Sequence, residues 1–340
     1  MMTRFASAVL LSLIALPAAA TSPPPPPFID REVRVPVAAV DGAGAATLAC
    51  SLRAPSAASG ARVAAVALLP GTGPGDRDEN GIGATLKYSV LRRVADRLAA
   101  HGIASLRCDD RGTGASTGRF EERTFPVFIA DGTAMIAALR REPTIDGARI
   151  ALYGHSEGGI AGVVIADRDA GLRALVLAAA AERPFLDGVL AQKRDELRDA
   201  GQSPAEVDAT IAFYRTVLLA LAAGKPIPDG LPPPARAEVE RLAPWLRSRL
   251  AHDNRASSRR LRHLPILIQQ GGRDVVVPPD DAELLRADLA AGHNPDAKLL
   301  RYPTLQHNFA PAREGERLPR AEVAAQPLDD AAAFLATQLR

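Results

Sequence analysis

Cysteine is almost missing from this chain. Only Cys50 and Cys108 occur among 340 residues, and no Cys-x-x-Cys or His-Glu-x-x-His pattern is present. The usual zinc-binding spacings are therefore absent, and we expect no metal. Two cysteines are compatible with burial as small apolar residues, or with a disulfide in an oxidising compartment. The residues alone leave both alternatives open.

An excess of charge of one sign is missing too. The chain has 41 basic and 39 acidic residues, a formal net charge of +2, and these charges are interspersed. A nucleic-acid partner is therefore not expected, because proteins that bind nucleic acid usually carry a stripe of basic residues on their surface. Aromatic residues make up only 4%, but hydrophobic residues reach 47%. That content is enough for one large α/β domain or two ordinary ones.

The first twenty residues have the pattern of a signal peptide. Arg4 precedes the apolar run "FASAVLLSLIAL", which is too short to span a bilayer comfortably, and "PAAA" supplies a cleavage signal before Thr21. We therefore expect a signal peptide at 1–20 and a Pro-rich linker at 21–32, which contains "SPPPPPF". The mature protein would be exported to a bacterial periplasm or beyond, with no stable membrane span. An uncleaved N-terminal anchor is the alternative.

Strand-like and helix-like segments alternate after the linker. The first two strand-like segments are "REVRVPVAA" and "ATLACSLRAP", separated by a Gly-rich turn. Continuous apolar runs such as "RVAAVALLPG", "RIALYG" and "LRALVLAAA" then alternate with segments of helical periodicity. This pattern predicts an α/β fold with a mostly parallel sheet of about eight strands, helices on both faces and an antiparallel start.

The alternation is interrupted between residues 183 and 261, where the pattern is helical only. "SPAE" at 203–206 is a capping box with proline at the first helical position. Strands resume with "LPILIQQ" and "AKLLRYP". We therefore expect a core formed by 33–182 and 262–340, and a helical cap at 183–261.

Two serines fit the pattern Gly-x-Ser-x-Gly. Ser156 lies in "YGHSEGG", between an apolar strand and the helical "IAGVVIAD". This strand, sharp turn and helix resemble the nucleophile elbow of α/β hydrolases, which exposes the serine hydroxyl. Ser116 lies in the polar "DDRGTGASTGRF", with no helix directly after it. We therefore expect Ser156 to be the nucleophile and Ser116 a loop residue.

A serine nucleophile requires a histidine base and an acid that orients it. In this fold they follow in the order Ser, Asp or Glu, His, each after a strand. Asp274 follows "LPILIQQ" and His307 follows "AKLLRYP". Asp280 and Asp281 are rivals for the acid, but they follow "VPP" and suit a helix cap better. The other five histidines occur at positions that do not match this order.

An oxyanion hole requires two N–H donors. We expect one from the backbone of Glu157 and the other from the backbone of Thr72, in the loop "LLPGTGPGDRDEN" after the third strand. A phosphate-binding loop is excluded, because Asp76 stands where Gly-x-Gly-x-x-Gly requires its last glycine.

Five segments together resemble the α/β-hydrolase superfamily. They are "LPGTGPGDRDEN", "LRCDDRGTGASTG", "YGHSEGG", "GGRDVVVP" and "QHNF". They are most similar to bacterial carboxylesterases related to serine aminopeptidases, over about 33–182 and 262–340. One difference is Pro70-Gly71 where many relatives have His-Gly. The resemblance also implies that the second strand lies beside the fourth, which would bring Cys50 and Cys108 near each other.

These observations predict an exported serine hydrolase that cleaves small-molecule carboxylic esters of short or medium acyl chains through an acyl-enzyme, without a cofactor. An aminopeptidase with the same triad is the alternative, and a non-catalytic binding protein on this scaffold is a further one. The oligomeric state is not determined by the sequence. Three aromatic residues of the cap are expected to line the pocket: Phe213, Tyr214 and Trp245. The peptidase would use a cap carboxylate for the substrate ammonium, from a set that includes Asp187, Glu206 and Asp208.

Overall fold

The computed structural model describes residues 28–56, 60, 62–313, 316 and 322–340. The predicted signal peptide and residues 21–27 of the predicted linker lie outside the described residues. The strands are β1 (Phe28–Val37), β2 (Ala46–Pro55), β3 (Val63–Leu69), β4 (Ala104–Cys108), β5 (Ile145–His155), β6 (Leu172–Ala178), β7 (Ile266–Gly271) and β8 (Lys298–Tyr302). The α-helices are α1 (Val90–Ala100), α2 (Phe125–Arg141), α3 (Glu157–Arg168), α4 (Phe185–Asp199), α5 (Pro204–Ala222), α6 (Pro233–Ala251), α7 (Asn254–Arg260), α8 (Asp281–Ala291) and α9 (Ala325–Gln338).

All eight strands belong to one sheet, in the order β1-β2-β4-β3-β5-β6-β7-β8. The pairs β1–β2 and β2–β4 are antiparallel, and the strands from β4 to β8 pair in parallel. The predicted fold class is confirmed, including the antiparallel start.

Strand β1 begins inside the segment predicted to be a linker. Phe28 pairs with Pro55, and the ladder continues through the next positions to Glu32 opposite Ser51. The predicted linker boundary at residue 32 is therefore wrong. Strand β2 is ten residues long, so it offers hydrogen-bonding partners to residues 28–32 of β1. The local composition of that segment does not indicate this pairing.

Helices cover both faces of the sheet. One hydrophobic cluster packs residues of α2, α3 and α8 against the sheet, and a second packs residues of α1 and α9 against the opposite face. This arrangement explains why the central strands are continuous apolar runs: all six residues of β7 are buried.

Helix α1 begins at Val90, directly after a residue with an unusual backbone conformation. Ser89 is held in the left-handed region, with φ 49°. Its N–H donates to Asn80 Oδ1 at 3.0 Å. The residues before it therefore belong to a long loop that begins after β3.

Segment 183–261 contains the four helices α4–α7. The capping box at the start of α5 is present: Ser203 accepts from the Glu206 N–H, and the Glu206 carboxylate accepts from the Ser203 N–H. Most of the apolar side chains of these helices form a hydrophobic cluster separate from the two sheet clusters.

Cys50 and Cys108 form a disulfide. They are directly opposite each other in the β2–β4 ladder, and both are buried. Of the two alternatives that the sequence left open, the structure therefore contains the disulfide.

Among the described residues, no helix is both long enough and apolar enough to cross a membrane. Over the same part of the chain, no group of three or more histidine, cysteine, aspartate or glutamate residues is arranged to hold a metal ion.

Candidate active site

The loops that follow β3, β5, β7 and β8 meet at one edge of the sheet. The carboxyl ends of parallel strands share an edge, and the crevice outside it is the usual ligand site of α/β folds. A cavity of about 550 Å³ lies there. Thr72, Ser156, Glu157 and His307 all line it.

Ser156 lies in the sharp turn between β5 and α3. Its φ of 53° and ψ of −121° are strained values for a residue with a side chain. The turn is possible because glycines flank it: a Cβ on Gly154 would lie 2.2 Å from the Gly158 carbonyl oxygen. A Cβ on Gly158 would lie 2.5 Å from the Leu69 carbonyl oxygen. The side chain of Ser156 therefore faces the cavity from a rigid backbone.

Ser116 has a different environment. Its hydroxyl donates to the Asp109 carbonyl oxygen at 2.8 Å and accepts from the Ala49 N–H at 2.8 Å. It is buried and does not line the cavity. Ser116 thus joins the loop after β4 to β2, and both hydrogen-bonding functions of its hydroxyl are in use.

His307 is held by Asp274. The Nδ1 atom of the histidine lies 2.8 Å from Oδ2 of the aspartate, whose side chain is fully buried. Oδ1 of Asp274 accepts from the N–H groups of Val276 and Val277, both at 2.8 Å. Gln270 donates to Oδ2 at 3.0 Å. An ionised carboxylate with these donors fixes the His307 ring with Nδ1 protonated, which leaves Nε2 as the basic nitrogen.

Ser156 and His307 line the same cavity, but no hydrogen bond joins their side chains in the described structure. Catalytic hydrogen bonds are often long in ligand-free structures and shorten when substrate binds. The structure therefore places the predicted nucleophile and the predicted base at the same cavity.

The two rival acids have other positions. Asp281 is fully buried and accepts from the backbone N–H groups of Glu182 and Arg183, and it also pairs with the Arg183 side chain. Asp280 occupies the N-cap position of α8, but its side chain makes no capping hydrogen bond. The prediction that both cap this helix is thus wrong, and among the described residues neither forms a hydrogen bond or an ion pair with His307.

The two expected oxyanion donors have no competing acceptors. Neither the Thr72 N–H nor the Glu157 N–H donates to another atom of the described residues, and both residues line the cavity. The loop that carries Thr72 is fixed on both sides, because Gly71 N–H donates to Glu79 Oε1 at 2.5 Å and Gly75 N–H donates to Asp110 Oδ2 at 3.0 Å. The loop is therefore stabilised although it has Pro70 where many relatives have histidine.

The Glu157 side chain connects the nucleophile turn to α6. Its carboxylate is buried and accepts from Arg123 at 3.0 Å and from Trp245 Nε1 at 2.8 Å. Arg249 Nε lies 3.4 Å away. Burial lowers the pKa of Arg249, and the charge of Glu157 opposes that effect. No local sequence pattern indicates this role of Glu157, since Trp245 and Arg249 lie about 90 positions away along the chain.

The same cluster contains Asp110. Burial raises the pKa of Asp110 to about 6, although Arg123, with Nε 3.3 Å from its Oδ1, opposes the shift. Arg123 thus lies between two carboxylates. One is Asp110, which accepts from Gly75 of the oxyanion loop, and the other is Glu157, which directly follows Ser156.

The structure places one of the three aromatic pocket candidates at the cavity. Trp245 lines the cavity and packs edge-on against Phe185, with ring centroids 5.4 Å apart. Phe213 and Tyr214 do not line it. They contact each other inside the cluster formed by the helices of segment 183–261, because the face of α5 that carries them packs against its neighbouring helices.

Three carboxylates of segment 183–261 that were considered for a peptidase do not line the cavity either. Each has another structural role: Asp187 lies 3.6 Å from Arg215, Glu206 closes the capping box, and Asp208 pairs with Arg194.

Two further cavity residues were not given a role by the sequence. Glu79 and His155 are hydrogen-bonding partners beside Ser156, with Oε1 of Glu79 2.7 Å from Nδ1 of His155. They are 76 positions apart, so only the fold brings them together.

Solved structures with the same fold include the esterase Pf2001 of Pyrococcus furiosus, at a TM-score of 0.61 and 15% identity over 92% of each chain. Est1E of Butyrivibrio proteoclasticus with bound ferulic acid has a TM-score of 0.57 and 15% identity, over 90% of this chain and 98% of that one. A 2,6-dihydroxy-pseudo-oxynicotine hydrolase has a TM-score of 0.55 and 15% identity, over 92% of this chain and 68% of that one. At such identities the likeness shows the fold.

Among curated proteins, no sequence matches the chain. The family model described as "Serine aminopeptidase, S33" matches residues 83–311, about two thirds of the chain. The match includes Ser156, Asp274 and His307. The chain therefore belongs to the serine aminopeptidase S33 family of α/β hydrolases.

Proposed function

We propose that the protein is an exported serine esterase that hydrolyses carboxylic esters of short or medium acyl chains. One observation carries the proposal. A serine in a strained strand–helix turn, a histidine held by a buried aspartate and two N–H groups without acceptors all surround one cavity. This is the set of groups that acyl transfer requires.

Acylation begins when Ser156 Oγ attacks the ester carbonyl carbon and His307 Nε2 takes the hydroxyl proton. Asp274 stabilises the imidazolium that forms. The negative charge on the carbonyl oxygen is stabilised by the N–H groups of Thr72 and Glu157. When the tetrahedral intermediate collapses, the C–O bond to the alcohol breaks and His307 returns the proton to the departing oxygen.

Deacylation repeats these steps with water. His307 removes a proton from water, the hydroxide attacks the acyl carbon, and the same two N–H groups hold the second oxyanion. Collapse releases the carboxylic acid and returns the proton to Ser156. Atoms and charge balance without a cofactor.

The character of the cavity supports an apolar acyl group. Its walls include Ile160, Phe185 and Trp245, and its volume of about 550 Å³ suits a small molecule. Two apolar side chains that are exposed to solvent, Leu86 and Val276, also line it. We infer that α4–α7 act as a cap that encloses the acyl chain.

Charge in the cavity favours an ester over a peptide with a free N-terminus. A substrate ammonium needs a carboxylate with unsatisfied charge. Among the described cavity residues, Glu157 is paired with arginines and Asp281 with Arg183. Glu79 is paired with His155, although its Oε2 is buried without a partner. The family match makes an aminopeptidase the second candidate, and Glu79 is the carboxylate it would use.

A substrate panel on the purified mature protein tests the proposal. We expect p-nitrophenyl esters from acetate to octanoate to be hydrolysed with a kcat/KM far above that of any aminoacyl p-nitroanilide, and Ser156→Ala to remove both hydrolysis and fluorophosphonate labelling. Turnover of the anilides faster than that of the esters would favour the peptidase. No turnover and no labelling of the wild type would favour a binding protein.

The proposal of export is supported by the N-terminal pattern of Arg4 and the apolar run, together with the buried disulfide, since oxidised cysteine pairs persist outside the cytosol. N-terminal sequencing of protein recovered from the periplasm or medium of an expressing bacterium should begin at Thr21. Protein found only in the cytoplasm with Met1 retained would contradict it.

A further inference from the structure

His155, the residue before Ser156, has an unusual pair of hydrogen-bonding partners. Its ring is buried, with Nδ1 2.7 Å from Glu79 Oε1 and Nε2 3.0 Å from the backbone carbonyl oxygen of His307. A carboxylate and a carbonyl both accept hydrogen bonds. A neutral imidazole has only one N–H, so it would leave one of these contacts between two lone pairs. While Glu79 is ionised, both contacts are satisfied only when both ring nitrogens carry a proton.

We propose that Glu79 and His155 form a second acid–histidine pair whose role is positioning: a charged His155 connects the oxyanion loop to the backbone of His307. This inference rests on the proposed function, since it assigns residues that orient the groups of that reaction. It requires His155 to remain an imidazolium while His307 works as a neutral base.

A continuous series of hydrogen bonds joins Gly71, Glu79, His155 and the backbone of His307. Glu79 Oε1 also accepts the Gly71 N–H at 2.5 Å, and Gly71 directly precedes the expected oxyanion donor Thr72. The carboxylate therefore fixes the peptide before the donor, while His155 fixes the carbonyl of the base residue itself. Glu79 and Ser156 leave little space for a side chain at position 71, because a Cβ there would lie 3.1 Å from both Glu79 Oε1 and Ser156 Cβ.

The backbone of Glu79 supports a functional constraint. Its φ is 68°, in the left-handed region that favours glycine. Strained residues of this kind persist where the surrounding structure holds them, and they are concentrated at functional sites. The neighbouring turn is well fixed, since Asp76 Oδ1 accepts the N–H groups of Asp78 and Asn80.

The charges around His155 agree with this assignment. Burial lowers the pKa of His155, but the charge and hydrogen bond of Glu79, the His307 carbonyl and the more distant charge of Asp274 outweigh it and raise that pKa. The ring of His307 lies 4.8 Å away, centroid to centroid. The pKa of Tyr153 is raised well above its ordinary value, chiefly by burial, so this neighbour stays neutral.

Kinetics of Glu79→Gln and His155→Gln test the positioning role. Glutamine keeps an acceptor for Gly71 but removes the charge that keeps His155 protonated. We expect kcat for p-nitrophenyl butyrate to fall about 10- to 100-fold, with KM changed less than about threefold, because misplaced donors affect the transition state more than substrate binding. The alkaline limb of the kcat–pH profile should move to lower pH in Glu79→Gln. The double variant should be no worse than the poorer single one.

Asp288→Asn is the matched control. It removes another buried carboxylate, one paired with Arg255 and Arg259 and outside the cavity, so it should lower Tm without moving kcat or the alkaline limb. Equal effects of Asp288→Asn and Glu79→Gln on kcat and on the pH profile would overturn the proposal. So would a Glu79→Gln variant with the kcat and profile of the wild type.

A measurement without turnover separates this inference from the proposed function. Nitrogen-15 NMR of histidine-labelled, full-length Ser156→Ala protein should show both ring nitrogens of His155 protonated at pH 8, with the resonances assigned by their loss in His155→Gln. One unprotonated ring nitrogen would overturn the inference, whatever the activity. A wild type that cleaves no ester and takes no fluorophosphonate label would instead overturn the proposed function.

Discussion

Replacing Ser116 and Ser156 by alanine, one at a time, should separate stability from activity. The two serines share the Gly-x-Ser-x-Gly pattern, so the chemical change is the same. The Ser116 hydroxyl satisfies a buried carbonyl oxygen of Asp109 and a buried N–H of Ala49. The Ser156 hydroxyl makes no hydrogen bond within the described structure and faces the cavity.

The magnitudes follow from these contacts. A buried polar group left without a partner costs roughly 1–3 kcal/mol, so Ser116→Ala should lower the free energy of unfolding by about 3 kcal/mol. For a chain of this size that corresponds to a fall in Tm of roughly 6 °C. Most of the protein stays folded at 25 °C, because domains have about 5–15 kcal/mol of stability. Its kcat/KM should therefore remain within about threefold of the wild type.

Ser156→Ala should give the opposite result. Its stability should stay within about 0.5 kcal/mol, because no hydrogen bond is lost. Ester hydrolysis should fall by several orders of magnitude, as expected when a nucleophile is removed.

Urea unfolding followed by circular dichroism, p-nitrophenyl butyrate hydrolysis and fluorophosphonate labelling measure these effects. Ser105→Ala is the matched control, because Ser105 is fully buried in β4 and its hydroxyl has no partner among the described residues. That variant should be neutral in stability and in activity. Loss of labelling in Ser116→Ala, or labelling retained in Ser156→Ala, would refute the assignment of the nucleophile. An unchanged stability of Ser116→Ala would refute the estimate from buried hydrogen bonds.

Trp245→Phe removes the N–H that donates to the buried carboxylate of Glu157. Because a hydrogen bond to a charged group contributes about 1.5–3 kcal/mol, urea unfolding should show that the free energy of unfolding falls by about 2 kcal/mol. A loss below about 0.5 kcal/mol would mean that Glu157 does not hold α6 to the core. Burial raises the pKa of Glu182 to about 9, so this residue binds more protons in the folded protein than in the unfolded chain between the ordinary glutamate pKa and pH 9. Its contribution to stability therefore falls as pH rises through that window. Glu182→Gln stays neutral and should therefore gain stability relative to the wild type from pH 5 to pH 9; parallel Tm–pH curves would contradict this expectation. The disulfide joins Cys50 to Cys108, which are 58 positions apart in the sequence. Closing a loop of that length lowers the entropy of the unfolded chain and stabilises the folded protein by about 4 kcal/mol, so reduction should markedly lower the urea midpoint of unfolding. Two free thiols in denatured, unreduced, exported protein would rule the disulfide out.

The sequence by itself determined the fold class and the place of the serine turn. Both depend on local patterns: apolar runs alternate with helical periodicity, and small glycines surround Ser156 because strand and helix approach closely there. It also indicated Asp274 and His307, because the carboxyl ends of parallel strands meet at one edge and the order along the chain then assigns them. The structure brings these two side chains within hydrogen-bonding distance.

Only the tertiary structure decided which distant residues surround the site. Glu79 meets His155, and Glu157 meets Trp245, because separate elements pack at the same edge, and no periodicity links such positions in the sequence. Phe213 is an apolar aromatic residue of the kind that often lines pockets. The packing of α5 instead directs its side chain into the hydrophobic cluster of α4–α6. The composition of a segment shows that its apolar side chains will be buried. The partners against which they are buried depend on how the helices pack, and this packing is a property of the whole fold.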